Sequence, residues 1–414
     1  MRALLAAASF HAAISGLQRH ALNVARCLLQ QPEISALEIV VAPWQERLLQ
    51  DTGLDSSSRL QVHIARNMTQ SSLSRNFWYY RRLPVLAKRY KADLVHLTYP
   101  MPLRSRAFRV PTIVTLHDLY PWEIPANFGF PKSIFNRLTL RQCLRNADAI
   151  ACVSDATRER LREYAGRLVW QKSVRIYNCV EPGPIPAEQS PIPGWRGEPL
   201  LLCVAQHRRN KNLPLLIRSF ERILRSGEID SRTRLVIVGI GGPETNLIRR
   251  LVADRGLRNR VHFLEGLSES GLQWCYARCE VLLSPSITEG FGLSIAEGLL
   301  AGCRIVCSDI PAHREIGRGA VRYVALGDAA EERFASAVLE TVRRPKCAPK
   351  QLPEFSSATI GAQYMRLYRT VIASAAAAKT TGRSAMHPAQ SERPGLDQTA
   401  ARLLPEARNE HECI

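Results

Sequence analysis

The chain has no uninterrupted apolar run of about eighteen residues, so no membrane-spanning helix is predicted. Its eleven cysteines include no C-x2-C pair. Cys275/Cys279 and Cys303/Cys307 have no neighbouring histidine to complete a metal site. An odd, unframed set of cysteines excludes a disulfide-stapled secreted scaffold and predicts a reducing, cytoplasmic setting. Cys152, Cys203 and Cys307 lie in apolar stretches, as small hydrophobes do. Acidic residues are scarce: 56 Lys+Arg face 37 Asp+Glu, a net charge of +19. Between Arg59 and Arg109 eleven basic residues meet one acid, Asp93. That shortage fits a solvated basic face, an anionic lipid surface, an anionic acceptor or nucleic acid; of these partners, nucleic acid is the one not expected. The apolar opening Met1–Phe10 is short, is broken by His11 and leads directly into a helical pattern. It reads as a buried strand rather than a signal peptide.

What is present is an alternation of apolar strands and amphipathic helices, in two halves. Strands are predicted at Ala3–Ala8, Leu37–Ala42, Gln61–Ile64, Asp93–Thr98, Thr112–Leu116 and Ala149–Val153, and a helix at Gly16–Gln30. The second half repeats the pattern at Leu200–Ala205, Arg234–Val238, Arg260–Phe263, Val281–Ser284 and Arg304–Ser308. Six prolines and three glycines between Glu181 and Pro199 mark a linker by composition. The expected organisation is a Rossmann-like domain over 1–180, a Pro-rich linker over 181–198, and a second Rossmann-like domain over 199–354. A crossover helix over 355–374 and a disordered tail over 375–414 follow.

The most informative stretch is Cys279–Ile316. The strand Val281–Ser284 closes at Pro285, a loop carries Glu289, Gly290 and Gly292, and a short helix starts near Ser294. Units of this kind bind ligands at the carboxyl ends of their strands, where helix N-termini face the ligand. The amides of Phe291, Gly292 and Leu293 suit a phosphate. Glu297 either completes a capping box with Ser294 or reaches the ligand. Glu289 opposes simple phosphate binding but would accept hydrogen bonds from hydroxyls. A nucleotide sugar combines both chemistries. Three cations in the loop Gln206–Asn212, just before the helix Leu213–Arg225, are either solvated or a clamp for a diphosphate. The turn Val238–Pro243 is a second glycine-bearing strand-to-helix loop, explained in part by Pro243 at a helix start. His117, at another strand end, is either a satisfied polar residue or a ligand contact.

Glu289-GFGLSIA-Glu297, with Pro285-Ser286 before it and Ser308-Asp309-Ile310-Pro311 after it, resembles the Glu-x7-Glu motif of the retaining glycosyltransferases of family 4. The likeness extends over roughly residues 1 to 372. It implies the GT-B fold: an α/β architecture of two facing, doubly wound Rossmann-like domains with a donor cleft between them. It implies retaining transfer of a sugar from a nucleotide-sugar donor to a hydroxyl acceptor, either a sugar or a lipid-linked sugar, in cell-surface polysaccharide, lipopolysaccharide or glycolipid assembly. By the same resemblance, Glu297 holds the donor ribose, Glu289 lies by the transferred sugar, and Lys211 and His117 complete the catalytic set. Gly16 and Gly239 fall near the donor nucleotide, and Glu265 by its base or ribose. Gln206 stands where many relatives carry arginine, which leaves Arg208 or Arg209 as the second cation. Cys179 replaces a glycine after Asn178, a segment that is either hinge or ligand contact. Independence from a bound metal is also implied, in keeping with the lack of an Asp-x-Asp motif, and no cofactor is expected. Alternatives are a sugar-nucleotide epimerase or phosphorylase on the same fold, or a non-catalytic basic binding module. The expected location is cytoplasmic and peripheral on an anionic membrane. Phe77–Lys91 mixes aromatic and basic residues as interfacial segments do, yet reads equally as amphipathic helix packed on a sheet, interrupted at Pro84.

Overall fold

The computed structural model describes residues 1–9, 16–46 and 57–381 of the 414-residue chain. The chain divides into two compact units. One is Met1–Cys179 with the returning segment from Pro353; the other is Val180–Leu352.

The first unit holds seven strands: β1 (Arg2–Ala6), β2 (Ala36–Val41), β3 (Leu60–Ile64), β4 (Leu94–Leu97), β5 (Thr112–Leu116), β6 (Ala149–Cys152) and β7 (Ser173–Arg175). They form one sheet in the order β3-β2-β1-β4-β5-β6-β7, with every pairing parallel. Strands buried on both faces need largely apolar runs, and β1, β2, β4 and β5 supply them apart from Glu38, His96, Thr112 and Thr115, whose buried side chains are hydrogen-bonded. One sheet face is covered by the helices Ser72–Arg81, Leu83–Arg89, Lys132–Asn146 and Asp155–Ala165, whose Trp78, Leu83, Leu144 and Leu161 share a core with Leu97, Val114 and Ile150. Pro84 sits at the start of the second of these helices and divides it from the first. The helix Gly16–Leu29 packs against the last helix, Ser357–Thr381, at Gly361. A Cβ there would lie 2.5 Å from the Cys27 carbonyl oxygen, so only glycine lets the two backbones approach this closely.

The second unit holds β8 (Leu200–Val204), β9 (Arg234–Val238), β10 (Val261–Leu264), β11 (Val281–Ser284), β12 (Ile305–Ser308) and β13 (Arg322–Val324). Their order is β10-β9-β8-β11-β12-β13, again all parallel. The helix Leu213–Ser226 buries Leu216, Ile217, Phe220 and Ile223 against this sheet.

Three differences from the sequence reading have physical causes. The three-residue edge strands β7 and β13 carry too few residues to show a period. The proline-rich stretch is fastened to the second unit: Ile192 is buried, Trp195 meets Trp274 edge-on at 4.8 Å, and Ala187 N–H donates to Ser270 O. The last helix continues to Thr381, because its alanine-rich end keeps helical propensity after the apolar period fades. Residues 375–381 are therefore helical rather than tail, and 382–414 lie outside the described residues. The ten described cysteines are free thiols, nine of them buried.

Candidate active site

A doubly wound parallel sheet offers a ligand the gap outside the carboxyl ends of its strands at the point where strand order reverses. In the second unit that point falls between β8 and β11. The loop after β8 holds Lys211; the loop after β11 holds Glu289. Lys211 Nζ donates to Glu289 Oε1 at 2.5 Å, and Ser286 Oγ donates to the same oxygen at 2.6 Å. Ile287 N–H donates to Asn210 O at 2.8 Å and stitches the two loops together. Lys211 ends a single 3-10 turn, and Asn212 follows with φ +49°, which lets the helix Leu213–Ser226 start at once.

The Glu289 side chain is only 9% exposed. Burial alone would raise its pKa, but Lys211, His313 and Ser286 outweigh that and hold the carboxyl below its ordinary range. Burial lowers the pKa of His313 by more than Glu289 raises it. Its Nδ1–H donates to Ser308 O at 2.8 Å, and Ser308 Oγ donates to Ser286 O. Ser286, Ser308 and His313 thus form a buried polar floor under the ion pair.

The helix after β11 runs Leu293–Leu300 and is capped by Gly292 at φ +102°. Ser294 is therefore inside the helix and is not its N-cap, which removes the capping-box reading of Glu297. The left-handed glycine begins the helix earlier than the serine signal indicates. Glu297 Oε2 instead accepts from the hydroxyl of Tyr276, at 2.6 Å, reaching over from the helix Glu269–Arg278. Gly290 and Phe291 are buried, and Leu293 is half-buried. Ile295 N–H closes the first turn on Gly292 O at 3.0 Å, while the amides of Leu293 and Ser294 come before any residue of the helix that could accept from them.

The remaining strand ends are occupied as follows. Gly239 is a packing glycine: a Cβ would lie 2.1 Å from the Ala205 carbonyl oxygen, so the loop after β9 presses backbone to backbone on the loop after β8. Gly242 makes the same approach to His207 O at 2.5 Å. Glu265 is exposed after β10, with Oε1 3.5 Å from the position of a Cβ on Gly241. Ser268 is an N-cap, accepting from Gly271 N–H at 3.1 Å. Arg208 is half-buried beside Gly242 and Arg209 is exposed; neither forms an ion pair among the described residues.

In the first unit the strand order reverses between β1 and β4. The loop after β1, which includes Ser15, lies largely outside the described residues; Gly16 is the exposed first residue of its helix. His117 follows β5, and its Nε2–H donates to Thr98 O at 2.8 Å, at the end of β4. That bond assigns the tautomer and leaves Nδ1 an acceptor. The His20 ring meets His117 edge-on at 4.4 Å, and His20 Nδ1 pairs with Asn178 Oδ1 at 2.8 Å. Asn178 thereby holds an imidazole in its own unit. Asp118 Oδ1 accepts from Tyr120 N–H at 3.1 Å and starts the next helical turn. Burial lowers His117 to about 4.

The structure thus joins Lys211 with Glu289, and it supplies Ser286, His313, Tyr276 and His20 around the sites. The motif reading gave these four no role. His313 and His20 had a weak signal as polar residues in otherwise apolar helical faces; Tyr276 had none, because it meets Glu297 only through helix packing. Gly16 and His117 belong to the first unit and the other candidates to the second. Among the described residues, no group of three or more His, Cys, Asp or Glu side chains is placed to hold a metal ion.

Two doubly wound parallel sheets, each with polar groups at its strand ends, define an α/β protein of the Rossmann-like type. A family model described as Glycosyltransferase Family 4 matches residues 14–183, and one described as Glycosyl transferases group 1 matches residues 187–350. The chain belongs to this family of glycosyltransferases, which has the GT-B fold. It is 28% identical over 212 residues to O-antigen chain mannosyltransferase B of Escherichia coli, covering 49% of this chain and 54% of that protein. It is 25% identical over 270 residues to O-antigen chain mannosyltransferase RfbU of Salmonella typhimurium, covering 64% and 70%. The alignment thus spans about half the length of the first relative. The fold also matches the crystal structure of Anabaena Alr3699/HepE in complex with UDP and glucose, with a TM-score of 0.61 at 17% identity, covering 89% of this chain and 100% of that one. WaaG, a glycosyltransferase involved in lipopolysaccharide biosynthesis, matches with a TM-score of 0.61 at 18% identity, covering 91% and 98%.

Proposed function

We propose that this chain is a retaining, metal-independent hexosyltransferase that moves a sugar from a nucleotide-sugar donor to a hydroxyl of a sugar or lipid-linked sugar, in the assembly of a surface polysaccharide, lipopolysaccharide or glycolipid. The observation that carries this reading is the Lys211–Glu289–Ser286 group, its carboxylate and hydroxyl buried, at the reversal point of the second sheet. The names of the relatives agree with it: two are O-antigen mannosyltransferases, and a third, 22% identical, is the alpha-monoglucosyldiacylglycerol synthase of Streptococcus pneumoniae.

In the reaction the bond between the anomeric carbon and the diphosphate oxygen breaks, and its electron pair stays on the diphosphate. The acceptor oxygen bonds the anomeric carbon on the same face. Its proton passes to the departing phosphate oxygen beside it. Negative charge therefore grows on the leaving group, and Lys211, with the amides after Gly292, supplies fixed positive potential there. Arg208 or Arg209 adds a second cation. Glu297, oriented by Tyr276, accepts from the ribose hydroxyls. Glu289 lies by the transferred sugar and holds Lys211 in place until the diphosphate competes for it. Neutral His117 positions a sugar hydroxyl through Nδ1 rather than acting as a base.

The test is a thermal-unfolding screen against nucleotide sugars, followed by transfer assays with the donor it selects. A donor should raise Tm with the logarithm of its concentration. Transfer should persist in chelator, and the product should keep the donor's anomeric configuration. No protection by any nucleotide sugar would overturn the donor reading. An inverted product, or activity lost to chelator and restored by a cation, would overturn its finer parts.

A further inference from the structure

We propose that the first unit docks on an anionic lipid bilayer through the helix Lys132–Asn146 and the Phe130 that precedes it. Docking goes beyond the transfer reaction and rests on its own geometry. Among the described residues, all the large exposed hydrophobic side chains except Ile185, Leu247 and Ile287 lie on or beside the helices covering one face of the first sheet. The sequence pointed to Phe77–Lys91, but Trp78, Tyr79 and Leu83 of that segment are in the core. The stronger ridge is further along the chain. Phe130 is 85% exposed, Phe135 and Leu138 are each 58% exposed, and Ile134 is 48% exposed. Ile134, Phe135 and Leu138 face outward on a helix whose other side buries Leu140, Cys143 and Leu144.

The charge around this ridge selects its occupant. The helix carries Lys132, Arg137, Arg141 and Arg145 and no acidic residue. A pocket of about 200 Å³ beside it is lined by Arg141 and Arg145 together with Trp122 and Tyr164, whose rings stack at 5.9 Å. Neither arginine forms an ion pair among the described residues. Two unpaired guanidiniums beside aromatic rings suit a phosphate headgroup, and the neighbouring ridge suits acyl chains. A second copy of the chain would set one acid-free helix against another, because an isologous contact pairs the same patch with itself. Nucleic acid would use the cations and leave the ridge in water. Only an anionic bilayer satisfies both halves of the surface. The helix Ser72–Arg81 flanks the same face, with Arg104 over Tyr80 at 5.9 Å while Leu103 is bonded to Gln142 of the docking helix. Its exposed Leu73 and Phe77 extend the footprint.

The experiment is sedimentation of the full chain with vesicles of phosphatidylcholine alone or mixed with phosphatidylglycerol, at low and physiological salt. Binding should need phosphatidylglycerol and weaken with salt. F135S/L138S should reduce it at least tenfold, since two exposed apolar side chains are lost. R141Q/R145Q should reduce it about fivefold or more per charge. All four side chains are on the surface or at a pocket rim, so unchanged melting temperatures are expected and serve as the folding control. Protection by a nucleotide sugar, measured on the same samples, reports the transferase reading separately. Donor protection with equal recovery of protein in every supernatant would overturn docking alone. Vesicle binding that survives both variants, or is lost only in R81Q/R82Q, would overturn the assignment to this helix. Vesicle binding without donor protection would count against the transferase reading and leave docking standing.

Discussion

At the scale of single residues, the charge of Lys211 is already compensated before any donor arrives. Its ammonium is held by Glu289, so a diphosphate gains a cation already oriented toward the strand ends and not a solvated one. Removing an oriented donor at a developing oxyanion typically slows turnover about a hundred- to a thousandfold. Lys211→Ala should fall in that range in initial-rate assays, and a change under about threefold would take Lys211 out of the clamp. The same variant leaves Glu289 buried without its cation, so a loss of stability is expected with it. Glu297 makes a different prediction. Tyr276→Phe removes the hydroxyl that fixes one carboxylate oxygen, at 2.6 Å. Calorimetry should show weaker binding of the donor and of free nucleoside diphosphate alike in Tyr276→Phe and in Glu297→Gln. If affinity for both ligands is unchanged in both variants, the ribose role of Glu297 is wrong.

At the scale of elements, both units place their working groups in loops that follow parallel strands, and backbone packing positions those loops. The loop after β9 rests on the loop after β8 with no side chain between them. Gly239→Ala would put a Cβ 2.1 Å from a carbonyl oxygen, with only backbone to give way. The expected cost is about 1–3 kcal/mol or more, read as a lower urea midpoint. Because the loop after β8 carries Lys211, donor affinity should fall together with stability. A variant with an unchanged midpoint would show that this contact is looser than the backbone positions imply.

At the scale of the whole molecule, burial holds six of the ten histidines below their ordinary range. In the first unit His117 is lowered to about 4 and His96 to about 3. His20 is also lowered, by burial first and then by His117 and His96. The folded protein keeps these rings neutral while an unfolded chain takes up protons near pH 6.5. Between about pH 6.5 and pH 4 the unfolded state therefore binds more protons, so stability is full above that window and falls as pH drops through it. The slope is at most about 1.4 kcal/mol per pH unit for each imidazole. Carboxylates such as Glu289 add their losses only at lower pH, so the interval from pH 6.5 to 5 isolates the histidines. Urea unfolding at pH 7.5 and 5.5 should show a clearly lower midpoint at the acid value. Equal midpoints would mean that these rings are hydrated or already protonated in the folded chain.

Local pattern was enough for the architecture of both halves. Continuous apolar runs determine strands covered on both faces, the 3.6-residue period determines the helices between them, and β5, β9 and β11 begin and end where those patterns begin and end. The Glu289–Glu297 segment was legible for the same reason, since a strand, a glycine-bearing loop and a helix start are all local. Tertiary structure alone decided what contacts across sequence made: the Lys211–Glu289 pair, 78 residues apart, and the bond from Tyr276 to Glu297, 21 apart. It also gave Gly239 a packing requirement and removed Ser294 as a cap, because backbone approach and a left-handed φ leave no residue pattern beyond a glycine. The ridge at Phe130 and Leu138 belongs here too. Apolar residues on a helix imply a buried face, and only the position of the sheet shows that these point the other way.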